Sequence, residues 1–133
     1  YINKVNALAV QSGVAWIGTS GGLLKLEHGL LSLYRSNVQR PYSLVNDNIS
    51  DLFVDKDNLL WIGTIAGVST YAPQLNKFGL LQYFEIGDQT YSNNVYCTYE
   101  DQKGIIWLGT LASGLVKLNE DNTIAKVYPG IVD

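Results

Sequence analysis

Trp16-Ile17-Gly18-Thr19, Trp61-Ile62-Gly63-Thr64 and Trp107-Leu108-Gly109-Thr110 are one phrase written three times, at intervals of 45 and 46 residues. A self-similar period of this length marks a repeat architecture, and about 40–45 residues per unit suits a four-stranded propeller blade. The recurrence also constrains function. A motif present three times reads as scaffold, because an active site is ordinarily built once.

The repeat extends outward from the phrase. An Asn stands thirteen residues before each Trp, as Asn3, Asn48 and Asn94. Apolar stretches follow at Val5–Val10, Ile49–Val54 and Val95–Tyr99. Polar turns come next, as Gln11-Ser12-Gly13, Asp55-Lys56-Asp57-Asn58 and Asp101-Gln102-Lys103-Gly104. Beyond the Trp phrase lie a small-residue turn, a third apolar stretch, a second polar turn and a fourth stretch. That fourth stretch reads Leu30–Tyr34, Phe78–Phe84 and Thr123–Tyr128. Runs of about five to seven residues have ordinary strand length. Val, Ile, Thr, Tyr, Phe and Trp fill them, and Gly, Asn, Asp and Ser separate them. No window carries an apolar stripe at helical spacing over ten or more residues.

The fold class is therefore all-β: three four-stranded antiparallel repeats, β-propeller blades that form part of a larger, seven-bladed propeller. Blade one spans 3–47, blade two 48–93, and blade three with the start of the next 94–133. Leu59-Leu60-Trp61-Ile62 and Ile105-Ile106-Trp107-Leu108 are continuously apolar. A sheet with one wet face would alternate instead, so these sheets are expected to be covered on both faces. Gly18, Gly63 and Gly109 mark places where a neighbour must come close. The Trp rings are expected to fill the space between sheets, and Thr19, Thr64 and Thr110 to bind backbone at the strand ends. Three blades fall short of the about four to eight that close a propeller. The chain is thus expected to be a piece of a longer ring, with association of a second copy as the alternative.

Composition excludes several classes. The net charge is −3 and the cations are scattered, which argues against a nucleic-acid footprint. No apolar run approaches the ~18 residues that span a bilayer, so this segment is expected to make no membrane contact. One cysteine, Cys97, cannot form an internal disulfide, and its place beside Tyr96 predicts a small buried hydrophobe. His28, the single histidine, falls at a hairpin tip with no second ligand nearby. Asp55 with Asp57, and Glu100 with Asp101, have the form of acid–base pairs. Their position at polar turns favours backbone capping instead. No catalytic residue, metal ligand or cofactor is expected.

The stretch from Asn48 to Thr64, with Gly67-Val68-Ser69-Thr70-Tyr71 after it, closely resembles the two-component regulator propeller repeat. The third unit resembles it as well, through Glu100–Gly104 and Trp107–Thr110. The first unit departs, with no Asp and a shorter turn. The resemblance implies the periplasmic sensor region of a Bacteroidetes-type hybrid two-component histidine kinase, an inner-membrane protein. It also implies an oligosaccharide ligand and a homodimer in the full-length form. No nucleic acid is expected as a partner.

Binding residues are sought in the unequal connectors between repeats, Arg35–Asp47 and Glu85–Asn93, because loops on a rigid scaffold usually carry binding. Arg40, Tyr42, Asp88, Tyr91 and Asn93 offer the guanidinium, aromatic, carboxylate and amide groups that engage sugar hydroxyls and ring faces. A protein-interaction scaffold and a propeller hydrolase or lyase are the alternative classes.

Overall fold

The computed structural model describes residues 4–40, 42–81, 84–86, 89–91 and 94–129. Among them there are fourteen strands and no helix. The first sheet comprises β1 (Val5–Gln11), β2 (Val14–Thr19), β3 (Gly22–Glu27) and β4 (Leu30–Tyr34). The second comprises β5 (Ile49–Val54), β6 (Leu60–Thr64), β7 (Gly67–Ala72) and β8 (Lys77–Leu81). A small hairpin of β9 (Phe84–Ile86) and β10 (Gln89–Tyr91) follows. The third sheet comprises β11 (Val95–Glu100), β12 (Ile106–Thr110), β13 (Leu115–Leu118) and β14 (Ile124–Tyr128). Strand order in each four-stranded sheet is chain order, and every pairing is antiparallel.

Three sequence expectations need correction. The connector Glu85–Asn93 is not a plain loop but contains the β9–β10 hairpin, and the run Phe78–Phe84 is split between β8 and β9. The pair Gly87-Asp88 between two short β-prone runs is a hairpin signal that a reading of the segment as a loop overlooks. Gln11 is not a turn residue; it ends β1 and is buried. Asn3 and 131–133 lie outside the described residues.

The sheets stack in chain order, with β5 packed against both β1 and β11. Each junction is one apolar core. Trp16 and Leu23 of the first sheet meet Leu52, Leu60, Ile62, Tyr71 and Phe78 of the second. Trp61 and Val68 of the second meet Ile106, Leu108, Val116 and Leu118 of the third. Trp16 and Trp61 are each 1% exposed. Both faces of the second sheet are therefore covered, which is why β6 is buried at every residue. Trp107 is only half-buried, because no described sheet lies beyond it.

The glycines of the first two phrases admit the next sheet. A Cβ on Gly18 would stand 2.6 Å from Ile49 Cγ2, and one on Gly63 would stand 3.3 Å from Val95 Cγ1. The first strand of each four-stranded sheet carries a bulge, at Asn6, Ser50 and Tyr96. A bulge leaves its residue outside the ladder and re-aims the side chain. Asn6 Nδ2 accordingly donates to Ile49 O at 2.9 Å, and Ser50 Oγ donates to Val95 O.

Candidate functional site

The carboxylates at the turns are engaged by the scaffold. Asp55 Oδ1 accepts the backbone N–H groups of Asp57 at 2.9 Å and Leu59 at 3.0 Å, while Oδ2 accepts Trp61 Nε1 at 2.8 Å. Asp101 repeats this with Lys103, Ile105 and Trp107, at 2.8, 3.0 and 3.0 Å. The Trp107 N–H, then the Ile105 N–H, hold the Asp101 carboxyl below its ordinary range. In the first sheet Gln11 takes this place. Its Oε1 accepts Trp16 Nε1 at 3.0 Å, and its Nε2 donates across the junction to Asn58 O and Tyr71 O. A carboxylate could not make those donations. The threonines bind backbone at the strand ends, Thr19 to Gly22 O, Thr64 to Gly67 O and Thr110 to Gly114 O.

Antiparallel order places the β2–β3, β6–β7 and β12–β13 turns at one end of the stack, together with the ends of the connectors between sheets. Both connectors then run to the outer edge of the following sheet. β9 lies near β14, the outer strand of the third sheet. The first connector is better defined. Leu44 is buried, Val45 N donates to Ser69 Oγ at 2.9 Å, and Ser36 N donates to Asp47 Oδ1 at 2.6 Å. Asn37 organises the tip, accepting Gln39 N on its side chain and Arg40 N on its carbonyl. Phe78 N, on the free side of β8, donates to Tyr42 O at 3.3 Å.

Two adjoining hollows open there, of about 440 and 610 Å³, sharing Ser36, Asn37, Arg40, Tyr42, Ser43 and Phe78. Tyr42 has φ of 66°, a left-handed conformation that is rare for a bulky side chain. Such outliers gather at functional sites, where surrounding contacts impose them. Lys77 Nζ lies 4.4 Å from the centre of the Tyr42 ring. Arg35, Arg40 and Lys77 all line the cleft, and no carboxylate does among the described residues. The ion pair found among the described residues lies elsewhere, between Lys25 and Glu27.

Of the candidates read from sequence, the structure brings Arg40 and Tyr42 into this cleft. Tyr91 ends β10 on the other connector, and only its backbone is described. Asp88 and Asn93 lie outside the described residues. Sequence reasoning missed Asn76, in the β7–β8 turn, and Lys77, which opens β8; neither carries a local signal of a shared site. Cys97 is a correction. It is exposed rather than buried, with its Sγ over Gly109 on the open face of the third sheet. His28 sits exposed on the β3–β4 turn, with φ of 49°. A third hollow, of about 370 Å³, joins the Asp55–Leu59 and Glu100–Ile106 turns. No group of three or more His, Cys, Asp or Glu among the described residues is placed to hold a metal ion. No helix among them is long and apolar enough to cross a membrane, which leaves β-barrels unaddressed.

Residues 43–66 and 92–112 match the family model of the two component regulator propeller. The matched stretches contain the second and third Trp phrases; the first, with Gln11 in the aspartate's place, is outside them. No curated protein matches the chain. Among solved structures it is similar to the extracellular domain of BT4673 from B. thetaiotaomicron, described as a hybrid two component system. That likeness has a TM-score of 0.81 and 23% identity, over 95% of this chain and 19% of that one. The extracellular domain of BT3049 from the same organism, described likewise, gives 0.58 and 21%, over 92% of this chain and 23% of that one. Virginiamycin B lyase from Staphylococcus aureus gives 0.66 and 16%, over 96% of this chain and 42% of that one. The chain spans about a fifth of the length of the BT4673 domain. At these identities the likenesses establish the propeller fold alone.

Proposed function

We propose that this chain, which carries two component regulator propeller repeats, is a ligand-sensing part of the periplasmic sensor region of a hybrid two-component histidine kinase. Its ligand on this reading is an oligosaccharide, and the segment itself is non-catalytic. The observation that supports it is the convergence of Arg40, Tyr42 and Lys77 on one cleft beside a rigid sheet edge. An aromatic face suits the C–H surface of a sugar, and guanidinium and amide groups suit its hydroxyls. Three cations, with no carboxylate among the described lining residues, favour a sugar that carries an acidic group. Ligand contacts then shift the relation between two copies of the sensor across a dimer, and the membrane-spanning part relays that shift to the kinase.

Calorimetry on the sensor region with neutral and acidic oligosaccharides tests this. Binding is expected, weakened about tenfold by Arg40→Gln, the scale of one charge-assisted hydrogen bond. A broad panel without binding sinks the carbohydrate reading. The lyase reading has less support. A form of virginiamycin B lyase with one histidine replaced by alanine is catalytically inactive. The single histidine here stands on an exposed turn, away from any of the three clefts.

A further inference from the structure

The two hollows beside β8 adjoin but differ in chemistry. Both are built by β8 and by the connector between the first and second sheets, and both are bordered by Arg40, Tyr42 and Phe78. The hollow of about 440 Å³ is walled further by Val38, Leu44 and Val45, and Arg40 is its one charged lining residue among those described. The hollow of about 610 Å³ adds Arg35, Asn76 and Lys77. One compartment is thus largely apolar and the next is cationic, with Arg40 and Tyr42 common to both.

The groups of the cationic compartment are held in place. Lys77 Nζ lies 4.4 Å from the centre of the Tyr42 ring, within the range of a cation–π contact that restrains the ammonium. Tyr42 is restrained in turn. Its carbonyl accepts Phe78 N, and the neighbouring Ser43 Oγ donates to Asn37 O at 2.9 Å and accepts Asn37 N at 3.1 Å. Arg35 Nε donates to Gly21 O at 3.1 Å, which commits one of its N–H donors and fixes the guanidinium. The connector's own carboxylate, Asp47, accepts Ser36 N. Among the described residues no ion pair engages Arg35, Arg40 or Lys77. Like charges gathered in one space raise each other's energy, and an anion placed among them lowers it.

We infer that the cleft takes two adjoining sugar units, an acidic one in the larger hollow and a neutral one in the smaller, and that Lys77 sets the preference for the acid. The inference rests on the oligosaccharide reading and deepens it. The acidic group, a carboxylate or a sulfate ester, accepts from Lys77 and Arg35. The neutral unit lays its C–H surface against Val38 and Val45, and Tyr42 stands between the two units.

Calorimetry on the sensor region tests this with four probes. They are a disaccharide of one uronate and one neutral hexose, its carboxyl-reduced form, that reduced form carrying a sulfate ester, and the free uronate. At least one acidic disaccharide should bind about tenfold more tightly than the reduced form, and the tighter of the two identifies the acid. The free uronate should bind about tenfold more weakly than its disaccharide. Lys77 is exposed, so its substitution leaves the core intact. Lys77→Gln should abolish the acid preference and leave affinity for the reduced form unchanged, and Lys77→Arg should retain the preference. Equal binding of acidic and reduced disaccharides would overturn the acid compartment and leave the oligosaccharide reading standing. A free uronate as tight as its disaccharide would overturn the neutral compartment. An acid preference that survives Lys77→Gln would overturn the role of Lys77. Binding of other oligosaccharides but none of these probes would overturn this inference alone, and binding of no sugar at all would overturn both.

Discussion

Asp55 shows how one side chain holds a repeat unit together. Its carboxylate shapes the β5–β6 turn through two backbone N–H groups and fixes the Trp61 ring through a third donor. Asp55→Asn turns an amide donor toward one of these N–H groups. A buried donor left unpaired costs about 1–3 kcal/mol. Chemical denaturation should show that loss with little change in m-value. Asp101 carries a pH signature. Its carboxyl is held below the ordinary range by the Trp107 N–H, so the unfolded state binds more protons in that window. The stabilisation is complete above about pH 4, where an ordinary Asp titrates, and is lost as pH falls through the folded value. Melting temperatures of wild type and Asp101→Asn should therefore converge as the buffer is taken from neutral pH to below that window. The role of these aspartates was legible, because an Asp two and four residues before backbone donors at a polar turn caps it. Gln11 was not legible. A short turn beside a glutamine gives no hint that its amide bridges to the next sheet.

Strand pairs reveal a second rule, that each junction is keyed by a glycine opposite a bulge. Gly18→Ala would place a methyl 2.6 Å from the branched Ile49 side chain, which is fully buried and stiff. Overpacking of this kind costs about 1–3 kcal/mol. The same change at Gly109 meets Cys97 Sγ, the end of an exposed side chain that can rotate away. Thermal melts of the two variants should rank them, with Gly18→Ala clearly the less stable. Equal losses would show that the glycines serve strand geometry rather than the junction. The glycines themselves were evident from their fixed offset after Trp. Their partners were not, since Ile49 lies far along the chain from Gly18 and only sheet stacking brings them together. The β9–β10 hairpin was missed for a different reason. Its strands are three residues each, too short to show alternation.

Across the whole molecule, burial grades from the centre outward. The second sheet is covered on both faces, and the outer faces of the first and third are open. Trp61→Ala should cost about 3–5 kcal/mol, as for a fully buried aromatic, and Trp107→Ala distinctly less. Urea titration of the two variants measures the difference. The candidate cleft belongs to this scale as well. Arg40 and Tyr42 were legible as loop residues of binding character, whereas Lys77 and Asn76 reach them from the start of β8 and the turn before it. By itself the sequence determined the repeat, the three four-stranded sheets, the strand pairing within them and the capping of the turns. All of these follow from local periodicity and from hydrogen bonds that span a few residues. The tertiary structure alone decided which side chains enter above which glycines, that Cys97 faces outward, and that cations from two segments share one cleft. Those outcomes depend on how one sheet lies on the next, a relation between residues some 45 positions apart that no local pattern encodes.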